Sequence, residues 1–157
     1  MKAVAEYQVQ TPTKLEVRAS IQALEDHMKT APIEWQSTGE EFITHYFAPG
    51  VCARQMFLPA GSTWVGKIHK TRHVSIISCG KAILSTENGD APILIEGPYT
   101  FVNVPGEKRA LYILEDMIWT AIHVTDETDI AKIEDEVIAV SFDELEGPSF
   151  TLLEGDK

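Results

Sequence analysis

Residues 61–80, GSTWVGKIHKTRHVSIISCG, decide how this 157-residue chain is understood. They set His69 and His73 four residues apart within a basic patch of Lys67, Lys70 and Arg72. An apolar run, 74–77, follows and closes on Gly80. Two of the five histidines and much of the positive charge therefore fall in one short segment of a chain whose net charge is −11.

On both sides of this stretch, short apolar segments alternate with turn-forming residues. The pattern predicts strands at 33–36, 42–48, 51–58, 62–68, 73–79, 81–86, 91–96, 99–104, 109–114 and 117–124. Pro49-Gly50, Pro59-Ala60-Gly61, Gly97-Pro98 and Pro105-Gly106 punctuate them. Asn88-Gly89-Asp90 is the clearest hairpin turn, because Asn-Gly tolerates positive φ at both central positions. Many short strands at this spacing predict an all-β barrel or sandwich. Segments 109–114 and 117–124 are expected to form a hairpin around Glu115-Asp116, which would return His123 to the level of Arg109.

Two helices flank the strands. Thr11-Pro12 is expected to supply an N-cap with Pro at the first helical position. Val17, Ile21, Leu24 and Met28 then recur at helical spacing, predicting an amphipathic helix over 13–29 that ends at Ala31-Pro32. A short helix is expected over 129–137, inside an acidic C-terminal extension, 126–157. The chain is expected to be one domain, 1–157, with an N-terminal helical segment at 11–30 and a barrel core at about 42–124.

Composition narrows the function classes. No apolar run approaches the ~20 residues that a membrane-spanning helix needs, and residues 1–14 lack the apolar centre of a secretory signal. Two cysteines, Cys52 and Cys79, suit neither a disulfide framework nor a zinc motif, so a reducing cytoplasm is expected. The net charge argues against binding a nucleic acid polymer, which requires neutralising phosphates. Charge is unevenly spread: residues 54–109 carry seven Lys/Arg against four Asp/Glu, and residues 115–157 carry two against thirteen. The first expectation is a solvated acidic face that keeps the protein soluble, and the sharper one is a middle that stays basic because it faces an anionic ligand.

The stretch from Gly61 through His69 and His73 to Gly80 resembles the first motif of the cupins, roughly G-x5-H-x-H-x3-4-E-x6-G. Anchored on Gly80, the glutamate position falls on His73, the second histidine on His69 and the first on Lys67. GPYTFVNVPG at 97–106 is similar to the second motif, with Gly106 matching its glycine, the proline moved to Pro105 and Arg109 at the histidine position. THYFAPGVCAR at 44–54, residues 57–80 and residues 97–123 resemble the small stand-alone cupins of tailed bacteriophages and bacteria. The resemblance implies a cupin-type double-stranded β-helix, or jelly-roll barrel, and assembly as a homodimer or higher homo-oligomer. It also implies residence in the cytoplasm of a bacterium or a phage-infected cell.

The resemblance leaves two readings of the site. The family holds a divalent metal on three imidazoles and a carboxylate. Lys67 and Arg109 offer no lone pair, so only a reduced set remains: His69 and His73, completed by His123 or Glu107. That set implies a divalent transition metal and a metal-dependent enzyme such as a dioxygenase or isomerase. The other reading is a binding module in which Lys67, His69, His73, Lys108 and Arg109 hold a small anion, with Trp119 among the aromatic residues that present a stacking surface. A nucleotide, or a nucleotide-derived signal sequestered by a phage-type protein, is the ligand expected there.

Overall fold

The architecture is described from a computed structural model, which describes residues 11–32, 39–87 and 92–145. In chain order the elements are α1 (Lys14–Lys29), β1 (Ile43–Ala48), β2 (Val51–Leu58), β3 (Thr63–Val65), β4 (Ile68–His69), β5 (His73–Thr86), β6 (Ile93–Glu96), β7 (Tyr99–Asn103), β8 (Arg109–Val124), α2 (Ile130–Val137) and β9 (Ile138–Ala139). The expected strand 33–36, the Asn88-Gly89-Asp90 turn and the last residues of the acidic extension lie outside the described residues.

Two long strands organise the barrel. β5 and β8 pair antiparallel along almost their whole length, from Val74 opposite Ile122 to Thr86 opposite Arg109. The first half of β5 also pairs with β7, and its second half pairs with β6. The second half of β8 pairs with β2, and its first half pairs with β3. The result is two antiparallel layers, β1-β2-β8-β5-β7 and β3-β8-β5-β6, that share their two central strands. That is a double-stranded β-helix closed as a jelly-roll barrel.

The expected boundaries at 79/81 and 114/117 are not strand ends. β5 runs through Gly80 as a bulge, with register shifts on both sides of it. Glu115 and Asp116, which look like a turn in sequence, sit inside β8. Each has a partner: Lys81 Nζ donates to Glu115 at 3.2 Å, and Asp116 Oδ1 accepts from Ala60 N–H at 2.8 Å. The hairpin expected there is therefore absent, and His123 reaches the far end of one 16-residue strand.

The bulge also reverses which residues face inward. Before it, His73, Ser75 and Ile77 are buried; after it, Ala82 and Leu84 are. An extra residue in one strand shifts the pleat by one position, so odd numbers point in on one side and even numbers on the other. From Leu111 onward β8 keeps a single parity, burying Leu111, Ile113, Met117, Trp119, Ala121 and His123. The main core, Leu58, Ile77, Ala82, Leu84, Ile95, Leu111, Ile113, Met117 and Trp119, fills the space where the layers meet.

The helices close the barrel from outside. The N-cap of α1 is Thr13, not Thr11, because Thr13 and Glu16 form a reciprocal capping box. Arg18 and Lys14 reach back to Glu87, a carboxylate only 3% exposed, at 2.6 and 3.5 Å. α2 starts one residue later than expected, capped by Asp129, and packs Ile133 and Val137 over Cys52. The acidic segment then returns to the barrel: β9 pairs with β4, setting Ile138 opposite His69.

The Gly80 bulge makes a direct prediction. Its φ is +96°, and a Cβ there would fall inside van der Waals contact of the Asp116 carbonyl and Met117 Cα. Gly80→Ala should destabilise the fold by on the order of 3 kcal/mol, read as a lower denaturant midpoint at unchanged m-value.

Candidate metal centre and ligand cavity

Three imidazoles meet at one end of the barrel. His69 ends β4, His73 begins β5 and His123 lies near the end of β8. Even spacing does not bring the first two together, since Lys70, Thr71 and Arg72 break the strand between them. The turn folds their rings to centroids 4.3 Å apart. His123 comes in across the β5–β8 ladder, one step beyond the Val74–Ile122 pair, at 4.6 Å from His73 and 5.5 Å from His69. One nitrogen from each ring lies within 4.8 Å of the others. Glu107 is not among them: it accepts from Thr86 at 2.6 Å and pairs with Arg109.

The cluster is neutral and short of partners. Burial is the largest cause in each case. It pushes His69 down to about 2 and His123 to about 4, and it lowers His73. The neighbouring histidines and Arg54 add to the effect on His69 and His123. The Nδ1 atoms of His69 and His123 are buried without a hydrogen-bond partner. His73 Nδ1 lies 3.3 Å from the Thr71 carbonyl, which accepts a hydrogen bond from its N–H and so leaves the Nε2 lone pair free. Buried unpaired polar atoms are costly. Three neutral nitrogens converging with unused lone pairs form a donor set that a divalent transition metal fits.

Beside the histidines lies a cavity of about 150 Å³, lined by Arg54, Met56, Trp64, Asn103, Glu107, Arg109 and Trp119, with His69 and His73 in its wall. A hydrogen-bonded chain crosses one side. Trp119 Nε1 donates to Ser75 Oγ at 3.0 Å, and Asn103 Nδ2 donates to the same oxygen at 2.6 Å. Asn103 Oδ1 in turn accepts from Arg109. Phe101 packs edge-on to Trp119, at 5.4 Å and 82°, with the Arg109 guanidinium 5.3 Å from its ring centre.

An antiparallel jelly roll whose two layers share β5 and β8, with three histidines clustered at one end, decides the fold type. The domain has the cupin fold. Neither family models nor curated proteins give a match to this chain. Among solved structures, the chain is similar to a predicted oxalate decarboxylase from Thermotoga maritima, at 15% identity and TM-score 0.42 over 53% of this chain and 79% of that one. It is also similar to an RmlC-like cupin family protein with a double-stranded β-helix fold from Methanocaldococcus jannaschii (12%, TM-score 0.43, 58% and 87%). A third is a cupin-2 domain protein from Shewanella frigidimarina (12%, TM-score 0.43, 65% and 92%).

The site residues separate the sequence expectations. His69, His73 and His123 come together. Lys67 lines the cavity, but its Nζ is bonded to Glu134 of α2 at 2.5 Å. Lys108 does not line it: its ammonium is buried against α1, on Glu25 and on Gln22 at 3.0 Å. Arg109 reaches the cavity already paired with Glu107. Trp119 is in place, 5% exposed, with its N–H spent on Ser75. Arg54 was not singled out in the sequence. The only signal it gave was its parity on β2 with Cys52, Met56 and Leu58. Among the described residues, no helix is long and apolar enough to cross a membrane.

The buried imidazoles set a pH dependence. Their folded pKa values lie below the ordinary 6.5, so the unfolded chain binds more protons as the pH drops beneath that value. Stability of the chelator-treated protein should therefore begin to fall near pH 6.5, before carboxylate protonation contributes below about 4.5. Replacing His123 by Gln should flatten the 6.5-to-4.5 part of a plot of denaturant midpoint against pH.

Proposed function

We propose that this domain is a metal-dependent small-molecule cupin, with His69, His73 and His123 holding one divalent transition metal beside the cavity. The observation that carries this reading is the convergence of three buried, neutral imidazoles, two of them with an orphaned nitrogen. Three protein ligands are the donor count of catalytic rather than closed structural sites, because a position stays open for water or substrate. A metal bound there would supply Lewis-acid polarisation of an oxygen ligand.

The chain's own residues do the rest. Thr71 fixes the His73 tautomer, and the Ser75–Asn103–Arg109 chain holds one cavity wall rigid. The volume supports a compact ligand. A cavity of about 150 Å³ accommodates a molecule near the size of benzene, which is smaller than the nucleotide expected from sequence. A small anionic organic molecule is the reading that size and lining support, and a metal-dependent enzyme fits better than a nucleotide trap.

Metal analysis of untagged protein tests the reading, together with thermal unfolding across a zinc, nickel, manganese and iron(II) series. A fitting metal at 100 times its Kd should stabilise the wild type by about 2.7 kcal/mol. His69→Gln and His123→Gln should each remove most of that gain. Equal shifts in wild type and both variants would place the metal elsewhere and defeat the proposal.

A further inference from the structure

The cavity holds a cation that no carboxylate of the described residues contacts directly. Three cations were expected to receive an anion, and each is already paired: Lys67 with Glu134, Lys108 with Glu25 and Arg109 with Glu107. Arg54 is different. Its Nε is buried without a partner, as is that of Arg109, but whereas Arg109 holds Glu107, no carboxylate among the described residues comes within ion-pair distance of Arg54. Glu134 and Glu40 act on it only through space, while burial is the main influence and lowers its pKa. A guanidinium taken from water and left unpaired is an expensive arrangement.

Its position is fixed by the ladder. Arg54 is opposite Ala121 on β8, and two residues further along that strand His123 is opposite Cys52. Arg54 is thus a diagonal neighbour of a metal-ligand candidate on the adjacent strand, within reach of a long side chain. It lines the main cavity together with His69 and His73, and it also lines the smaller pocket beneath α2 together with His69 and His123. The charges in the main cavity then sum simply. Glu107 cancels Arg109, Glu134 of α2 cancels Lys67, the imidazoles are neutral, and the positive charge of Arg54 remains.

We infer that Arg54 is the anion anchor of this site and that the ligand is a small monocarboxylate, gripped by the guanidinium fork beside the three histidines. This rests on the proposed metal site only for what lies at the ligand's other end. A planar carboxylate matches the two-pronged donor set of a guanidinium. A phosphate dianion is disfavoured by the single free cation and by the Glu107 carboxylate in the same wall. An anchor kept for a ligand, unlike one kept for the fold, leaves the protein no weaker when it is removed.

Titration calorimetry with acetate, benzoate, inorganic phosphate and neutral benzamide tests this on wild type, Arg54→Gln and Arg54→Lys, each with and without bound cobalt(II). A carboxylate should bind the wild type at least tenfold more tightly than phosphate or benzamide. Arg54→Gln should lose tenfold or more of that affinity, and Arg54→Lys, which keeps charge without the fork, should lose part of it. Arg54→Gln should bind cobalt with unchanged absorption and melt at or above the wild-type Tm. The inference is overturned if Arg54→Gln keeps wild-type carboxylate affinity, if neither carboxylate binds the wild type, or if Arg54→Gln lowers Tm by several degrees. Failure of Arg54→Gln to fold overturns it likewise, since the residue would then serve the fold, and full wild-type affinity in Arg54→Lys overturns the fork geometry. Failure of the metal reading shows separately: cobalt would not bind the wild type, while carboxylate binding to the metal-free protein would still follow Arg54.

Discussion

The pairing of β5 with β8 is the constraint on which the site depends. These two strands belong to both layers, so their pleat decides which side chains enter the barrel. The Gly80 bulge lets β5 continue from one layer into the other while its inward parity changes. Without that change, either the His73–Ser75–Ile77 face or the Ala82–Leu84 face would point outward. The first supplies an imidazole and the hydroxyl that orders one cavity wall, and the second supplies core. One glycine with positive φ therefore reconciles a polar end and an apolar end within a single strand.

At the polar end, electrostatics distinguishes groups that hold the fold from groups that wait for something else. Lys67, Lys108 and Arg109 each meet a carboxylate, and Glu87 meets two cations of α1. The histidines and Arg54 meet none. In a low-dielectric interior this difference is large, because an unpaired charge or an orphaned nitrogen loses its water without a replacement. Unpaired groups concentrated around one cavity are where binding chemistry is to be sought.

Much of the barrel was legible in the sequence, since alternation and turn residues placed most strands within a few positions. Two boundaries were misread for one reason. Gly80 and the Glu115-Asp116 pair are typical of turns, but here they lie near one another across the ladder, where a bulge and two polar partners absorb them. The histidine pair at 69 and 73 was visible, whereas the inward direction of His123 depended on a register that only strand pairing sets. The cations were visible too, but not their partners. Glu134 lies 67 residues from Lys67, and Glu25 lies 83 from Lys108. A basic patch in sequence records where charges are, not whether they have been answered.

The return of the acidic segment to the barrel has a consequence in time. Among the described residues the strand that ends in His69 pairs with Ile138 and Ala139, Gly106 N–H donates to the His69 carbonyl at 2.9 Å, and Lys70 N–H donates to the Val137 carbonyl at 2.8 Å. The loop carrying one histidine is thus pinned by chain made about seventy residues later. Closing so long a loop is slow and entropically costly. While the protein is being synthesised, the barrel core has its strands before the histidine cluster has its third wall. The cluster is therefore incomplete, and without its full set of walls, until residues 137–139 have been made.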